Sequence, residues 1–157
     1  MREPEFAVRL ADGMTPIDEL HRLVLAAFGE LAIDPPSSVL HETAADFARR
    51  LAVETTFVAH AADVLIGSVF CARKNDALYV GRLAVHSAWR RRGVASALLD
   101  AAKQEARRIG AARVTLSARI SLHGNVSLFR RHGFVITAEQ CHPGYTSPTF
   151  YDMALAL

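Results

Sequence analysis

One segment constrains the fold more than any other: a strand that runs through an arginine-rich loop into a long helix. Residues 77–85 are predicted to form a buried strand, and residues 93–109 carry apolar side chains at helical spacing. Three consecutive arginines at 90–92 and a glycine, Gly93, lie between them. Free N–H groups and the helix dipole make the start of such a helix an anion site. A solvated basic loop with a glycine turn has the same pattern, so the segment alone leaves both interpretations open.

The rest of the chain predicts a mixed sheet around this segment. After a first strand, Thr15 is the expected N-cap of a helix that starts at Pro16 and ends before the proline-containing residues 34–38. The predicted strands are residues 6–10, 55–60, 64–72, 77–85, 114–116, 133–138 and 150–155, and the later helices are residues 43–51, 93–109 and 125–131. Three consecutive strands followed by alternating helices and strands favour an α/β (α+β) fold, a mixed sheet with helices on both faces.

Composition narrows the class of protein. The 157 residues suit one domain spanning residues 1–157, and 51% apolar with 22% charged residues is typical of a globular protein. A net charge of +2 gives no bulk attraction to nucleic acid. No apolar run reaches the length of a membrane span and no signal peptide is visible, so we expect a cytoplasmic protein. Cys71 and Cys141 lack metal-ligand spacing and are expected to be buried thiols, and no metal site is predicted.

A second motif lies downstream of the arginine loop. Asn125-x-x-x-Phe129-x-x-x-Gly133-Phe134 is predicted to be a short helix that Gly133 ends, 40 residues after Gly93. Together with Arg90-x-x-Gly93-x-Ala95 after a strand, this motif resembles the GNAT superfamily of acetyl-CoA-dependent N-acetyltransferases. The resemblance extends over about residues 57–157, whereas the first 50 residues carry no diagnostic motif.

The resemblance implies a GNAT fold and a site for acetyl-CoA. The fold would be a mixed sheet of six or seven strands with about four helices, its fourth and fifth strands splayed apart. The pantetheine arm would pair with the fourth strand, the pyrophosphate would lie on the loop before the long helix, and Arg130 or Arg131 could reach the nucleotide. The residues implied in cofactor binding are Leu83, Ala84, Val85, Arg90, Arg91, Arg92, Gly93, Val94, Ala95, Ser96, Asn125 and Phe129.

The implied chemistry is direct attack of a neutral amine on the thioester. The backbone N–H of Val85 is the expected oxyanion donor. Many members of the superfamily have, at the position of Phe129, a tyrosine that protonates the leaving thiolate, and many have a glutamate on the strand where this chain has Val80-Gly81-Arg82. The candidate bases are therefore Glu42, His123, His142 or water, and the candidate acids are Tyr145, Tyr151 and Ser127.

The sequence leaves the acceptor and the activity open. We expect the amine of a small molecule or peptide, and Glu42, a carboxylate in reach, favours a cationic amine. One alternative is a module that binds acyl-CoA without catalysis, since Phe129 cannot donate a proton. Another is a nucleic-acid-binding domain that uses the arginines, which the net charge of +2 disfavours. The apolar last strand is a candidate edge for a homodimer.

Overall fold

The computed structural model describes residues 5–157, and its elements follow the predicted order. The strands are β1 Ala7–Leu10, β2 Thr55–Ala61, β3 Val64–Lys74, β4 Ala77–Val85, β5 Arg113–Arg119, β6 Val135–Gln140 and β7 Phe150–Ala156. The helices are α1 Ile17–Gly29, α2 Ala44–Val53, α3 Val94–Arg108 and α4 His123–Arg131, with short 3-10 helices at Ser38–His41 and Ser87–Trp89. Seven strands and four α-helices confirm the predicted fold class.

Several predicted boundaries were wrong by a few residues. Pro16, not Thr15, caps α1, because the Thr15 hydroxyl accepts the Asp12 N–H within the preceding turn at 3.0 Å. Strand β5 continues to Arg119, three residues beyond the prediction, because β7 pairs with it along its whole length. Helix α2 starts as its sequence suggests: Thr43 and Asp46 form a capping box, each side chain accepting the other residue's backbone N–H.

The strands form one sheet in the order β1-β2-β3-β4-β5-β7-β6. The last strand, β7, is paired on both sides, so the prediction that it offers an edge for a homodimer was wrong. All neighbouring strands are antiparallel except β4 and β5, which run parallel. That parallel pair holds over three residue pairs, from Ala77 opposite Arg113 to Tyr79 opposite Thr115. Beyond Tyr79 the two strands are no longer paired, which confirms the predicted splay.

A bulge in β4 lies where the strands part. Phe70 pairs with Gly81 and Ser68 with Ala84, so β4 has one residue more than β3 over this stretch. Arg82, in the bulge, has a left-handed φ of 49°, and its carbonyl accepts the Ser68 hydroxyl at 3.3 Å. A bulge bends its strand and increases the local twist, which directs the end of β4 away from β5.

Two apolar cores cover the two faces of the sheet. Helices α1 and α2 bury Leu20, Val24 and Phe47 against one face. Helix α3 buries Leu98, Leu99 and Ala102 against the other face, together with Phe129 and Phe134 from the α4 region. Helices therefore pack on both faces of the sheet, and the gap between β4 and β5 lies between these two helical layers.

The two cysteines differ from expectation. Cys71 is buried in β3, where burial raises the pKa of its thiol to about 12. Cys141 is exposed, so its predicted burial was wrong, because β6 ends at Gln140 and leaves it in the connection to β7. Among residues 5–157, no helix is both long enough and apolar enough to cross a membrane.

Candidate active site

The separation of β4 from β5 opens a cavity of about 1020 Å³. One part, here called the anion end, is formed by residues 90–96 at the start of α3 together with the facing residues of α4. The other part, the loop end, is formed by residues 28–39, which include the last residues of α1 and the segment after it, by Arg119 at the end of β5, and by His142 and Phe150. The free edge of β4 connects the two ends.

The anion end is built from backbone. Gly93 precedes α3 with a left-handed φ of 85°, which glycine adopts without the strain of a Cβ. The first helical hydrogen bond runs from the Ala97 N–H to the Gly93 carbonyl at 3.0 Å, so the N–H groups of Val94, Ala95 and Ser96 have no acceptor within the helix. A Cβ on Gly93 would meet no atom within 4 Å. The peptide groups are therefore open to a ligand.

The three loop arginines differ in their surroundings. Arg90 pairs with Glu30 at 2.5 Å and borders the cavity, as does Arg91. Arg92 does not border it: its guanidinium lies 4.9 Å from the centre of the Trp89 ring and 3.4 Å from Glu5. Cofactor binding by Arg92 therefore stays a prediction, and the position of its side chain does not favour it. On α4, Arg131 borders the cavity and Arg130 does not.

A histidine not predicted from the sequence orients Ser96. Nε2 of His132 lies 3.0 Å from the Ser96 hydroxyl, and Nδ1 lies 3.0 Å from the Lys103 ammonium. An ammonium can only donate, so Nδ1 accepts and Nε2–H donates to Ser96. The Ser96 hydrogen is then free for a ligand oxygen. Desolvation, with Lys103 beside it, lowers the pKa of His132, which favours this neutral form.

The edge of β4 offers a free peptide group at Val85. The His86 N–H donates to the Ile66 carbonyl at 2.7 Å, which makes His86 and Ile66 a hydrogen-bonded pair. Pairs alternate along antiparallel strands, so the N–H of Val85 points away from β3, toward the gap that β5 leaves. Leu83, Ala84 and Val85 all border the cavity.

Helix α4 contributes Asn125 and Phe129 of the second motif. It begins at His123, so Asn125 lies in its first turn, exposed at the cavity wall. Phe129 is buried at the same wall, with its ring edge-on to Phe134 at 6.1 Å. Gly133, with a φ of 94°, ends the helix as predicted.

Glu42 does not border the cavity, and its carboxylate is held in ion pairs. Arg82 and Arg50 each approach it to 2.7 Å. Burial alone would raise the pKa of Glu42, but the two guanidiniums outweigh it and lower that pKa. A carboxylate that is ionised and paired in this way is a poor base, so the geometry argues against its predicted catalytic role.

His142 borders the loop end and is held from two sides. Its Nδ1 lies 2.5 Å from the Thr149 hydroxyl, and its ring packs edge-on against Phe150 at 4.8 Å. Partial desolvation, and then the nearby Arg119 charge, lower the pKa of His142, so its imidazole is neutral at pH 7.

Tyr145, the other residue from the same connection, does not border the cavity. Its hydroxyl donates to Asp34 at 2.5 Å, and this bond raises the pKa of Tyr145. Its place outside the cavity argues against the predicted role as an acid. Among residues 5–157, no group of three His, Cys, Asp or Glu side chains could hold a metal ion.

The predicted resemblance is confirmed by comparison with known proteins. The model of the Acetyltransferase (GNAT) family matches residues 17–134, more than half of the chain, and the chain belongs to that family. No curated protein matches it.

Solved structures share the fold at low identity. A GNAT-family acetyltransferase from Streptococcus pneumoniae is 19% identical, with a TM-score of 0.80 over 98% of this chain and 100% of that one. The paiA N-acetyltransferase from Thermoplasma acidophilum, in complex with coenzyme A, is 13% identical, with a TM-score of 0.81 over 97% and 99%. A GNAT-family acetyltransferase from Elizabethkingia anophelis with acetyl-CoA bound is 17% identical, with a TM-score of 0.73 over 99% and 100%.

Proposed function

We propose that this protein transfers an acetyl group from acetyl-CoA to the primary amine of a small molecule or peptide by direct attack. The observation that carries the proposal is the free β4 edge, which opens beside the unpaired N–H groups at the start of α3. Acetyl-CoA supplies an acetyl group already activated as a thioester. The protein then has to position the amine, accept its proton and stabilise negative charge on the carbonyl oxygen.

The anion end fits the phosphates of coenzyme A. The N–H groups of Val94, Ala95 and Ser96 converge there with the positive end of the α3 dipole. Arg91 and Arg131 border the same end and add positive charge. The pantetheine arm would then lie along Leu83–Val85 as an added strand, next to Asn125 and Phe129. In this pose the N–H of Val85 is the oxyanion donor.

His142 is the proposed base. Thr149 accepts the His142 backbone N–H at 3.0 Å and lies 3.5 Å from the Gln140 carbonyl, which can only accept. The Thr149 hydrogen is assigned to that carbonyl, so Nδ1–H of His142 donates to Thr149 and Nε2 keeps a lone pair. The amine nitrogen bonds to the acetyl carbon, the carbon–sulfur bond breaks, and the amine proton passes to Nε2.

No side-chain acid is assigned to the leaving sulfur. Phe129 has no proton to donate, but a thiol with a pKa of about 8.5 leaves as a thiolate at modest cost. A module that binds acyl-CoA without catalysis is the second candidate, and Phe129 is the observation that favours it.

A screen of amines separates the two candidates. Free thiol released from acetyl-CoA would be measured across amino acids, peptides, alkylamines and polyamines, and the acetylated product identified by mass. The proposal predicts amine-dependent thiol release with product formation. Saturable binding of acetyl-CoA without release for any amine would support the binding module and contradict the proposed transfer.

A further inference from the structure

The cavity wall has a one-sided charge. Among residues 5–157, those that border the cavity include five arginines but no aspartate or glutamate: Arg82, Arg90, Arg91, Arg119 and Arg131. Glu42 forms an ion pair with Arg82, and Glu30 forms one with Arg90. Arg91 and Arg131 lie at the anion end. Arg119 is therefore the arginine at the loop end that is available to bind an acceptor.

Arg119 is partly buried and has no ion-pair partner in the described part of the chain. Its Nη1 donates to the Pro35 carbonyl at 2.6 Å, which satisfies one donor of the guanidinium. The acidic residue that influences it, Asp34, lies farther than 4 Å away, accepts the Tyr145 hydroxyl and does not border the cavity. A charge taken partly out of water without a carboxylate partner is uncommon in proteins.

Apart from Arg119 and His142, the wall of the loop end is apolar or carries small hydroxyls. Phe28, Leu31, Ile33 and Phe150 provide apolar surface, and Ser37 and Ser38 provide the hydroxyls. A cationic acceptor would find no carboxylate on this wall and would face Arg119. An apolar acceptor with a carboxylate would bury its body on the wall and pair with that guanidinium.

We propose that the acceptor is a small apolar amine that carries a carboxylate, of the kind an apolar amino acid represents, and that Arg119 binds this carboxylate. The inference rests on the proposed function for the role of the amine. It replaces the expectation of a cationic acceptor, which depended on Glu42 facing the site, whereas Arg82 and Arg50 hold that carboxylate.

The test measures recognition of the carboxylate without relying on catalysis. Wild-type protein saturated with coenzyme A would be titrated calorimetrically with N-acetyl-leucine and with N-acetyl-leucinamide, which lacks only the carboxylate charge. We expect at least a tenfold preference for the acid, about the value of a hydrogen bond to a charged group. Arg119→Gln should abolish the preference and Arg119→Lys should restore part of it.

Arg73→Gln is the matched control, because this variant removes an exposed arginine of β3 that does not border the cavity. It should keep the preference, and unchanged affinity for coenzyme A in each variant shows that the fold is intact. Equal affinity for the two probes in the wild type, tighter binding of the amide, binding of neither, or a preference that survives Arg119→Gln would overturn the inference.

Turnover separates this inference from the proposed function. Thiol release would be measured with leucine, with isopentylamine, which lacks the carboxylate, and with putrescine, with and without Arg119→Gln. The inference predicts that Arg119→Gln lowers the turnover of leucine at least about tenfold relative to that of isopentylamine measured with the same variant. Carboxylate preference in the calorimetry without any thiol release would keep Arg119 as a carboxylate site and reject the proposed transfer. Faster turnover of putrescine than of leucine would reject the inference and keep the transfer.

Discussion

The two ends of the cavity are built in different ways. The anion end comes mainly from one short stretch of chain, residues 90–96, which α4 faces, and this stretch presents peptide N–H groups. The loop end collects side chains from positions as far apart as Phe28 and Phe150. In the first, φ of Gly93 and the helix start fix the geometry. In the second, ion pairs and hydrogen bonds between distant segments fix it, such as the bond from Arg119 to the Pro35 carbonyl.

This difference has a consequence for variation. A backbone site tolerates exchange of most side chains but fails when the peptide geometry or the local charge changes. A side-chain site keeps its shape when one residue is exchanged but changes what it recognises. Changes at the anion end should therefore impair cofactor binding for every acceptor, whereas changes at the loop end should act on the acceptor and leave cofactor affinity intact.

The largest effect is expected from Gly93→Asp. The new carboxylate would lie within a few ångströms of the bound pyrophosphate, where like charges repel by about 4 kcal/mol, or roughly a thousandfold in affinity. Calorimetry with acetyl-CoA measures the loss. Gly93→Ala is the control, because it has the same left-handed backbone strain without the charge and should lose less. Wild-type affinity in folded Gly93→Asp would remove the anion end from the account.

His142→Gln should lower kcat by about a hundredfold, the contribution typical of a positioned base. The affinity for acetyl-CoA should stay the same, since this residue borders the loop end. Because Arg119 helps to lower the pKa of His142, Arg119→Gln should move that pKa back toward its ordinary value of 6.5. An NMR titration of the imidazole checks the shift. A kcat within threefold of wild type in His142→Gln would instead favour water as the base.

Glu42→Gln should reduce stability more than activity. The change leaves Arg82 and Arg50 without their shared carboxylate, at a cost of about 2 kcal/mol in the free energy of unfolding. Since the lowered pKa of Glu42 favours the charged form in the folded protein, the difference from wild type should be full above about pH 4.5 and disappear as the pH falls through that lowered pKa. Denaturant unfolding at several pH values measures it. A large loss of kcat in the folded variant would restore Glu42 as a base.

Phe129→Tyr is expected to have the smallest effect. The ring stays buried against Phe134 and gains a hydroxyl at the cavity wall. If the thiolate leaves without an acid, kcat should change by less than about tenfold, or ~1.4 kcal/mol. Phe129→Ala should instead raise KM for acetyl-CoA, since it removes binding surface. A gain well above tenfold in Phe129→Tyr would mean that protonation of the sulfur limits the wild type.

The same contrast explains what the sequence could predict. Gly93 and the helix after it form a local pattern, so the anion end could be located from consecutive residues. The role of Arg119 could not be predicted in this way, because the predicted strand stopped at residue 116. Only the pairing of β5 with β7 extends that strand to Arg119. The ion pairs of Glu42 join residues 40 positions apart in sequence, from Glu42 to Arg82, which a local pattern does not encode. The partner of Ser96, His132, lies on a different element for the same reason.

The most direct test of the two-ended site is an NMR titration of the labelled protein, first with coenzyme A and then with N-acetyl-leucine. Coenzyme A should shift the amides of Val85 and of Val94, Ala95 and Ser96, and leave those of Leu31 and Ile33 nearly unchanged. N-acetyl-leucine should then shift the loop end and the Arg119 side chain. Shifts from coenzyme A that spare both β4 and the start of α3 would contradict the account.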